Sequence, residues 1–216
     1  MVRNIPTKPL QRIAISGPAG SLAASFEQPL TDQPRAAVLC LHPHPMHGGT
    51  RQNNVVRHGA LGALQANCLA LRIDFRGVGD SEGEYDEGVG EIEDAQAAYD
   101  WLQQNYPKLP IFIWGFSFGS RVGLDLAIRL KDEIPGYIAV AWPTNFYEWP
   151  TSTQWPTKTG FIAGTEDEYV DFTKMNHAEQ LGGKITIVEG AGHFFPKTLD
   201  RVRDLTADYI TEFLHD

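Results

Sequence analysis

Short apolar runs alternate with amphipathic segments along most of the chain. Near its start, residues 10–16 and 21–27 alternate apolar and polar positions on either side of the turn sequence GPAG at 17–20, which predicts a β-hairpin. Six later runs are short and mostly apolar, as strands buried inside a sheet usually are. These runs cover residues 36–41, 68–74, 111–114, 137–142, 159–163 and 184–188.

Segments with helical features separate most of these runs. They cover residues 54–66, 91–105, 120–131 and 196–213. Acidic residues in the first turn of the second segment favour the positive end of a helix dipole, and Pro196 suits the first turn of the last one. A hairpin followed by alternating strands and helices predicts a mostly parallel sheet with an antiparallel edge and helices on both faces. Without repeats, low-complexity tracts or linkers, residues 1–216 are predicted to form a single domain.

The composition narrows the class of protein. The chain has 216 residues and a formal net charge of −9, and an acidic surface repels the phosphate backbones of nucleic acids. No run approaches the roughly 18 apolar residues of a membrane span, and residues 1–9 lack the apolar core of a signal peptide. Cys40 and Cys68 lie in apolar runs, so we expect reduced thiols. A cytoplasmic protein that binds neither nucleic acid nor membranes is therefore expected.

The sequence GFSFG at residues 115–119 combines a reactive side chain with a turn that could activate it. It is a G-x-S-x-G pentapeptide that follows the apolar run 111–114 and opens the helical segment 120–131. A sharp strand-to-helix turn exposes a serine, and the flanking glycines give that turn room. This context predicts that Ser117 is a catalytic nucleophile rather than part of an ordinary turn.

Candidates for the other two members of a catalytic triad lie after Ser117 in the chain. The acid comes before the base, which is the order that accompanies this type of turn. Asp167 lies just past the run 159–163, and His193 lies in the sequence GAGH just past the run 184–188. All three candidates therefore follow predicted strands, where the sites of open α/β sheets lie. Three neighbouring carboxylates are alternatives to Asp167, but the G-x-x-D spacing favours Asp167. These alternatives are Glu166, Glu168 and Asp171.

With the motifs GFSFG, GTED and GAGH, the chain resembles the α/β-hydrolase superfamily. The sequences LHPHPMHGGT at 41–50, DFRGVGDSEG at 74–83 and GEIEDA at 90–95 are similar to those of small bacterial serine hydrolases related to dienelactone hydrolases and prolyl-oligopeptidase-type esterases. The resemblance covers nearly the whole chain. It implies an eight-stranded, mostly parallel twisted sheet with an antiparallel N-terminal edge, helices on both faces and no large lid. It also implies a hydrolase, and says little about the substrate.

An oxyanion hole needs backbone N–H groups aimed at the developing negative charge. Phe118, the residue after the nucleophile, is expected to supply one. The other is expected from the loop after the run 36–41, where Pro43 and Pro45 have no N–H to donate. His44 or Met46 must then donate, and the position that the resemblance implies favours His44.

Two other histidines and two charged residues near these loops have alternative interpretations. His42 and His47 form an H-x-H-x-x-H pattern with His44, which could bind a metal. The pattern contains no acidic ligand and the resemblance assigns this loop to oxyanion binding, so we expect no metal. We expect no cofactor either, because no G-x-G-x-x-G follows the first strand.

Asp74 and Arg76 are expected to join loops through charged hydrogen bonds.

The connection 143–157 is too short for a lid and is rich in aromatic residues, which could line an acyl pocket or seal the edge of the sheet. These are Phe146, Tyr147, Trp149 and Trp155. Phe116 could narrow the pocket beside the nucleophile or point into the core. The candidate substrate-binding residues are Phe116, Phe146 and Trp149.

The leading hypothesis is a serine hydrolase of small or medium carboxylic esters, acting on a small-molecule acyl substrate as a monomer or small homo-oligomer. A thioesterase, a lactone hydrolase and a small peptidase would use the same triad and remain alternatives. A non-catalytic binding protein on the same fold is an alternative of another class, although no triad member is missing.

Overall fold

A computed structural model describes residues 5–150 and 154–215, so residues 151–153 of the connection 143–157 lie outside the described part. The strands are β1 (Gln11–Gly17), β2 (Gly20–Glu27), β3 (Ala37–Leu41), β4 (Leu69–Ile73), β5 (Ile111–Phe116), β6 (Tyr137–Val140), β7 (Thr159–Gly164) and β8 (Lys184–Val188). The helices are α1 (Asn54–Gln65), α2 (Val89–Asn105), α3 (Phe118–Leu130), α4 (Phe172–Gln180) and α5 (Leu199–His215). No helix among these is long and apolar enough to cross a membrane.

The eight described strands form one sheet in the order β1-β2-β4-β3-β5-β6-β7-β8. Strand β2 pairs antiparallel with both β1 and β4, and every other neighbouring pair is parallel. The predicted mostly parallel sheet with an antiparallel N-terminal edge is therefore confirmed. Parallel strands require crossover connections, and helices supply most of these; in the described residues the connection from β6 to β7 contains no helix.

The central strands β3 to β7 are buried on both faces, and alternate residues of one strand face opposite helical layers. On β3, Leu39 and Leu41 belong to the apolar cluster that includes residues of α2 and α3. Val38 and Cys40 belong to the cluster that includes residues of α1 and α5. This period of two is the geometry of a strand, and it explains why the central strands are apolar throughout. Both cysteines are buried free thiols, as expected.

The strand order places a crevice between β3 and β5. The chain leaves β3 through α1 on one face, and leaves β5 through α3 on the other face. Connections that diverge to opposite faces open a crevice at the carboxyl ends of the two strands, where open α/β sheets bind ligands. The loop that contains His44 follows β3, and Ser117 follows β5, so both border this crevice.

Two helical features differ from the sequence expectations. The structure has α4, which the sequence pattern does not predict: only Met175 and Ala178 are buried along its nine residues, so its apolar stripe is short. The last helix begins at Leu199 rather than near Pro196. Phe195 and Lys197 have φ angles of 51° and 65°, which are incompatible with an α-helix, and Phe195 is fully buried.

Adjacent carboxylates on α2 make ion pairs that differ in burial. The buried Asp94 carboxylate accepts hydrogen bonds from the Arg76 backbone N–H at 2.9 Å and from its guanidinium at 2.8 Å, so Arg76 joins two segments as expected. The neighbouring Glu93 pairs with Arg129 at 2.7 Å, and both side chains are more than 40% exposed.

We expect Asp94→Asn to lower the free energy of unfolding by about 3 kcal/mol, because it removes the buried counter-charge of a largely buried guanidinium and leaves it only the exposed Asp86, at 3.9 Å. Glu93→Gln is the matched control and should cost less than about 1 kcal/mol, since exposed ion pairs contribute little. Urea unfolding of the two variants measures both values. Equal losses would contradict the assignment of Asp94 as the structural carboxylate.

Candidate active site

Ser117 occupies the sharp turn between β5 and α3. Its backbone has φ 54° and ψ −120°, a conformation that costs a non-glycine residue about 1–3 kcal/mol. The turn is held by the Ser117 N–H, which donates to the Val140 carbonyl at 2.9 Å. A Cβ at Gly115 would overlap the Gly119 carbonyl, and a Cβ at Gly119 would overlap the Leu41 carbonyl. Glycine is therefore required at both positions, and the turn projects the serine from the end of β5.

The structure brings Ser117, Asp167 and His193 together from three loops. His193 Nε2 lies 2.9 Å from Ser117 Oγ. His193 Nδ1 lies 3.0 Å from Asp167 Oδ1 and 2.9 Å from Asp167 Oδ2. Both the histidine and the aspartate are buried, so these hydrogen bonds are shielded from bulk water. His193 can therefore accept a proton at Nε2, while the Asp167 carboxylate fixes the tautomer of the imidazole by accepting from Nδ1–H.

Of the four candidate carboxylates in this region, Asp167 is the one that contacts His193. Its Oδ1 also accepts from the Tyr169 N–H at 2.9 Å, which orients the carboxylate. Glu166 and Glu168 are exposed. Asp171 instead caps the N-terminus of α4, where it accepts from the Thr173 N–H at 2.9 Å.

Two backbone N–H groups are candidates for the donors of an oxyanion hole. The Phe118 N–H begins α3, where the first N–H groups have no partner within the helix. In the loop after β3, the Met46 N–H donates to the His44 side chain at 3.2 Å. Since Pro43 and Pro45 have no N–H, His44 is the residue of this loop whose N–H we infer to complete an oxyanion hole.

His42 fixes the peptide that carries this N–H. Its Nδ1 lies 2.6 Å from the Pro43 carbonyl oxygen, and its Nε2 accepts from the Phe75 N–H at 3.0 Å. The Pro43 carbonyl and the His44 N–H belong to one planar peptide and point in opposite directions. Anchoring the carbonyl therefore aims the N–H. Burial lowers the pKa of His42 to about 4, so this histidine is neutral at neutral pH.

Because the pKa of His42 lies below its usual value, acid should weaken the fold. Between about pH 6.5 and pH 4 the unfolded chain binds a proton that folded His42 does not, which costs up to about 1.4 kcal/mol per pH unit. Urea unfolding at pH 7, 6 and 5 should give a smaller loss of stability on acidification for His42→Gln than for the wild type. The same loss in both proteins would show that His42 is not the responsible group.

A cleft of about 430 Å³ opens above Ser117. Its wall is mostly apolar and aromatic, with a few polar side chains from the loop after β3. The lining residues are Pro43, His44, His47, Gly48, Gly49, Asn53, Ser117, Phe118, Pro143, Phe146, Tyr147, Tyr169, His193 and Phe194. Of these, Tyr169, Phe194, His47 and Asn53 were not predicted to bind substrate. The sequence does place Phe194 directly after His193 and Tyr169 two residues after Asp167, which is the signal that could have found them.

Only one of the three predicted substrate-binding residues lines this cleft. Phe146 does, whereas Phe116 is fully buried and packs beneath His193 with ring centroids 5.1 Å apart. Trp149 stacks on Trp142 at 4.6 Å and contacts Trp155. The prediction is corrected for Phe116 and Trp149, because the core takes up the first ring and the packing between β7 and α4 takes up the second, where Trp149 contacts Phe161 and His177. The aromatic connection thus contributes both to the cleft and to the packing of α4 on the sheet, through different residues.

The histidine-rich loop does not assemble a metal site in the structure. No group of three His, Cys, Asp or Glu side chains among residues 5–150 and 154–215 could hold a metal ion. Both ring nitrogens of His42 make hydrogen bonds within the fold, and His44 accepts from Met46 and lies 3.1 Å from the Tyr85 hydroxyl.

The sheet topology, the elbow and the order of the three side chains define a hydrolase of the α/β type. The family model described as serine aminopeptidase, S33, matches residues 32–152, which is more than half of the chain. The chain therefore belongs to this family of the α/β-hydrolase superfamily.

Similar proteins agree with this assignment. The uncharacterized protein RP471 of Rickettsia prowazekii is 34% identical over 214 residues, which cover 93% of this chain and 89% of that protein. Lysophosphatidylserine lipase ABHD12 of Danio rerio is 44% identical over 92 residues, 41% of this chain and only 23% of that lipase. The crystal structure of XC6422 from Xanthomonas campestris, described as an α/β serine hydrolase without lid, superposes with a TM-score of 0.89 at 27% identity. It covers 98% of this chain and 99% of its own, which confirms the lidless α/β-hydrolase fold.

Proposed function

We propose that this chain is a serine hydrolase that cleaves small or medium carboxylic esters through an acyl-enzyme on Ser117. The observation that carries the proposal is the pair of hydrogen-bond contacts of His193, 2.9 Å to Ser117 Oγ and 2.9 Å to Asp167 Oδ2. A serine hydroxyl is a weak nucleophile unless a positioned base takes its proton. This geometry supplies the base and the group that orients it.

In the first half-reaction, Ser117 Oγ attacks the ester carbonyl carbon while His193 Nε2 takes the hydroxyl proton. The carbonyl oxygen becomes negatively charged and accepts hydrogen bonds from the Phe118 and His44 N–H groups. The bond from carbon to the alcohol oxygen then breaks, and His193 donates its proton to that oxygen. Asp167 stabilises the imidazolium in between. In the second half-reaction water replaces the alcohol, and the same steps release the acid and restore Ser117.

The absence of acidic side chains from the lining of the cleft, among the residues that the structure describes, favours binding of neutral esters over peptides with a free amino terminus. An aminopeptidase must bind a free ammonium group, and a desolvated charge needs an opposite charge beside it. Within the described part of the chain, the residues that line the cleft include no Asp, Glu, Lys or Arg, and the triad carboxylate of Asp167 lies behind His193. Its volume of about 430 Å³ lies near the lower end of the range for small-molecule pockets, about 300–1,000 Å³. Both features support small or medium uncharged acyl substrates.

Hydrolysis of p-nitrophenyl esters from acetate to dodecanoate tests this proposal, with leucine p-nitroanilide as the aminopeptidase substrate. We expect kcat/KM to be highest for the short and medium esters. The anilide should be slower by at least about 100-fold, because an amide is less reactive than an activated ester and its ammonium group would lie unpaired in an apolar cleft. Faster turnover of the anilide than of every ester would overturn the ester assignment in favour of a peptidase.

A further inference from the structure

One wall of the cleft is built from aromatic rings around His193. The Tyr169 ring centroid lies 4.5 Å from that of His193, and the Phe194 centroid lies 5.1 Å from it. Phe146 packs against Tyr169 with centroids 5.3 Å apart. All three line the cleft, and we refer to them together as the His193 wall.

Two members of this wall are exposed and yet held in place. Phe146 is 66% exposed and Phe194 is 54% exposed. Phe194 is fixed by the next residue, Phe195, which is fully buried and whose N–H donates to the Gly192 carbonyl at 2.9 Å. The Phe146 N–H donates to the Pro143 carbonyl at 3.0 Å. Anchored aromatic rings that face solvent beside a reactive group form a surface suited to bind an apolar ligand.

The loop of Phe146 is also tied to the loop of the triad carboxylate. The Asn145 N–H donates to the Tyr169 carbonyl at 3.1 Å, and the Asn145 side chain donates to the Glu168 carbonyl at 3.1 Å. These bonds fix the position of Phe146 relative to the loop of Asp167. Because Asp167 contacts His193, the position of Phe146 is also fixed relative to His193, which donates the proton to the leaving alcohol.

A second aromatic group is built around Phe118, on the side of the oxyanion donors. The ring of Phe118 has its centroid 5.0 Å from that of His44, 6.0 Å from that of Tyr85 and 6.4 Å from that of Tyr147. Phe118 and His44 are the residues whose N–H groups would hold the carbonyl oxygen. The Phe118 ring itself is buried, so this side of the cleft is lined mainly by the His44 and Tyr147 side chains that pack against it.

The chemistry of acyl transfer determines which part of an ester meets each side. The alcohol oxygen must come within hydrogen-bond distance of His193 Nε2, because it receives its proton there when the C–O bond breaks. The carbonyl oxygen must lie between the two N–H groups. An ester held in this way would extend its alcohol along the His193 wall and its acyl chain toward the side lined by His44 and Tyr147.

We propose that Phe146, Tyr169 and Phe194 form a subsite for the alcohol part of the ester, and that this subsite selects aromatic alcohols. The inference rests on the proposed function. An aromatic ring that packs against the His193 wall makes edge-to-face contacts with the rings of that wall. An alkyl group of the same size does not make these contacts. In the reaction, Ser117 Oγ bonds to the acyl carbon, the bond to the alcohol oxygen breaks, and the proton taken from Ser117 leaves with the alcohol.

The test compares esters that share an acid and differ in the alcohol. Wild type, Phe146→Ala and Phe194→Ala are assayed with benzyl, cyclohexylmethyl and ethyl acetate, and with benzyl butanoate. The quantity measured is kcat/KM, because it reports acylation, in which the alcohol leaves, whereas deacylation is common to all acetates. We expect wild type to prefer benzyl over cyclohexylmethyl acetate by about three- to tenfold. Each variant should lower the benzyl-to-ethyl ratio at least about fivefold.

The matched control is Phe172→Ala, since Phe172 is also an exposed phenylalanine near this face but does not line the cleft. It should leave every ratio unchanged. In the two wall variants, the benzyl butanoate-to-acetate ratio should change less than about twofold, since the acyl side is intact.

Three results would overturn the subsite. Wild type could show no preference for the benzyl ester, or the wall variants could leave the alcohol ratio unchanged, or they could alter the acyl ratio instead. In each of these cases ester hydrolysis itself persists and the proposed function stands. Absence of hydrolysis of all four esters, together with failure of a fluorophosphonate to label Ser117, would overturn both the subsite and the proposed function.

Discussion

Replacing Ser117 with alanine is expected to lower kcat for ester hydrolysis by at least about 10⁴-fold. The acyl-enzyme cannot form without Oγ, and the remaining oxyanion donors only assist attack by water. The fold should persist, because the Ser117 hydroxyl has no structural partner other than His193 in the hydrogen bonds of the site. Alanine meets the same strain at φ 54° as serine does. Steady-state kinetics with a p-nitrophenyl ester measures the loss.

The control for this substitution is Ser16→Ala, at an exposed serine of β1. It should retain full activity. Residual activity of Ser117→Ala above about one per cent of wild type, at unchanged stability, would rule out Ser117 as the nucleophile.

The second large effect is expected for Asp167→Asn, which should reduce kcat about 10⁴-fold. A carboxylate accepts the Nδ1–H of His193 and so leaves Nε2 free to take the serine proton. An amide can donate to Nδ1 instead, which favours the tautomer with hydrogen on Nε2. That tautomer cannot act as the base.

Two neighbouring carboxylates provide matched controls for Asp167→Asn. Glu166→Gln and Glu168→Gln remove the same charge one residue away, at exposed positions that do not contact His193. Each should change kcat less than about twofold, because exposed charges are screened. A loss in Glu168→Gln as large as that in Asp167→Asn would mean that the charge of the loop, and not the contact with His193, matters.

The sequence predicted the central part of the molecule well because local and long-range preferences agree there. The run 111–114 is apolar, Gly115 and Gly119 are required by close backbone approaches, and a helix follows. The turn at Ser117 is therefore specified by its own residues. The G-x-x-D spacing, which starts at the last residue of β7, favours Asp167 over its acidic neighbours, and this is the carboxylate that contacts His193.

Other features depend on packing between distant segments, which a single sequence does not reveal. Phe116 ends a strand that is buried on both faces, so alternation gives no sign of whether its ring points to the cleft or to the core. Phe195 has a positive φ and is buried, and this delays the start of α5 beyond Pro196. The short buried stripe of α4 gives almost no periodicity to detect.

In the proposed mechanism His193 activates Ser117, and labelling with a fluorophosphonate is the first test of that activation. The reagent phosphonylates an activated serine by the same attack that an ester would undergo. Intact-mass measurement of wild type and Ser117→Ala, each incubated with the probe, gives the stoichiometry. One adduct on the wild type and none on the variant is the result that we predict. An unlabelled wild type that circular dichroism shows to be folded, or an adduct of equal yield on Ser117→Ala, would contradict activation of Ser117 by His193.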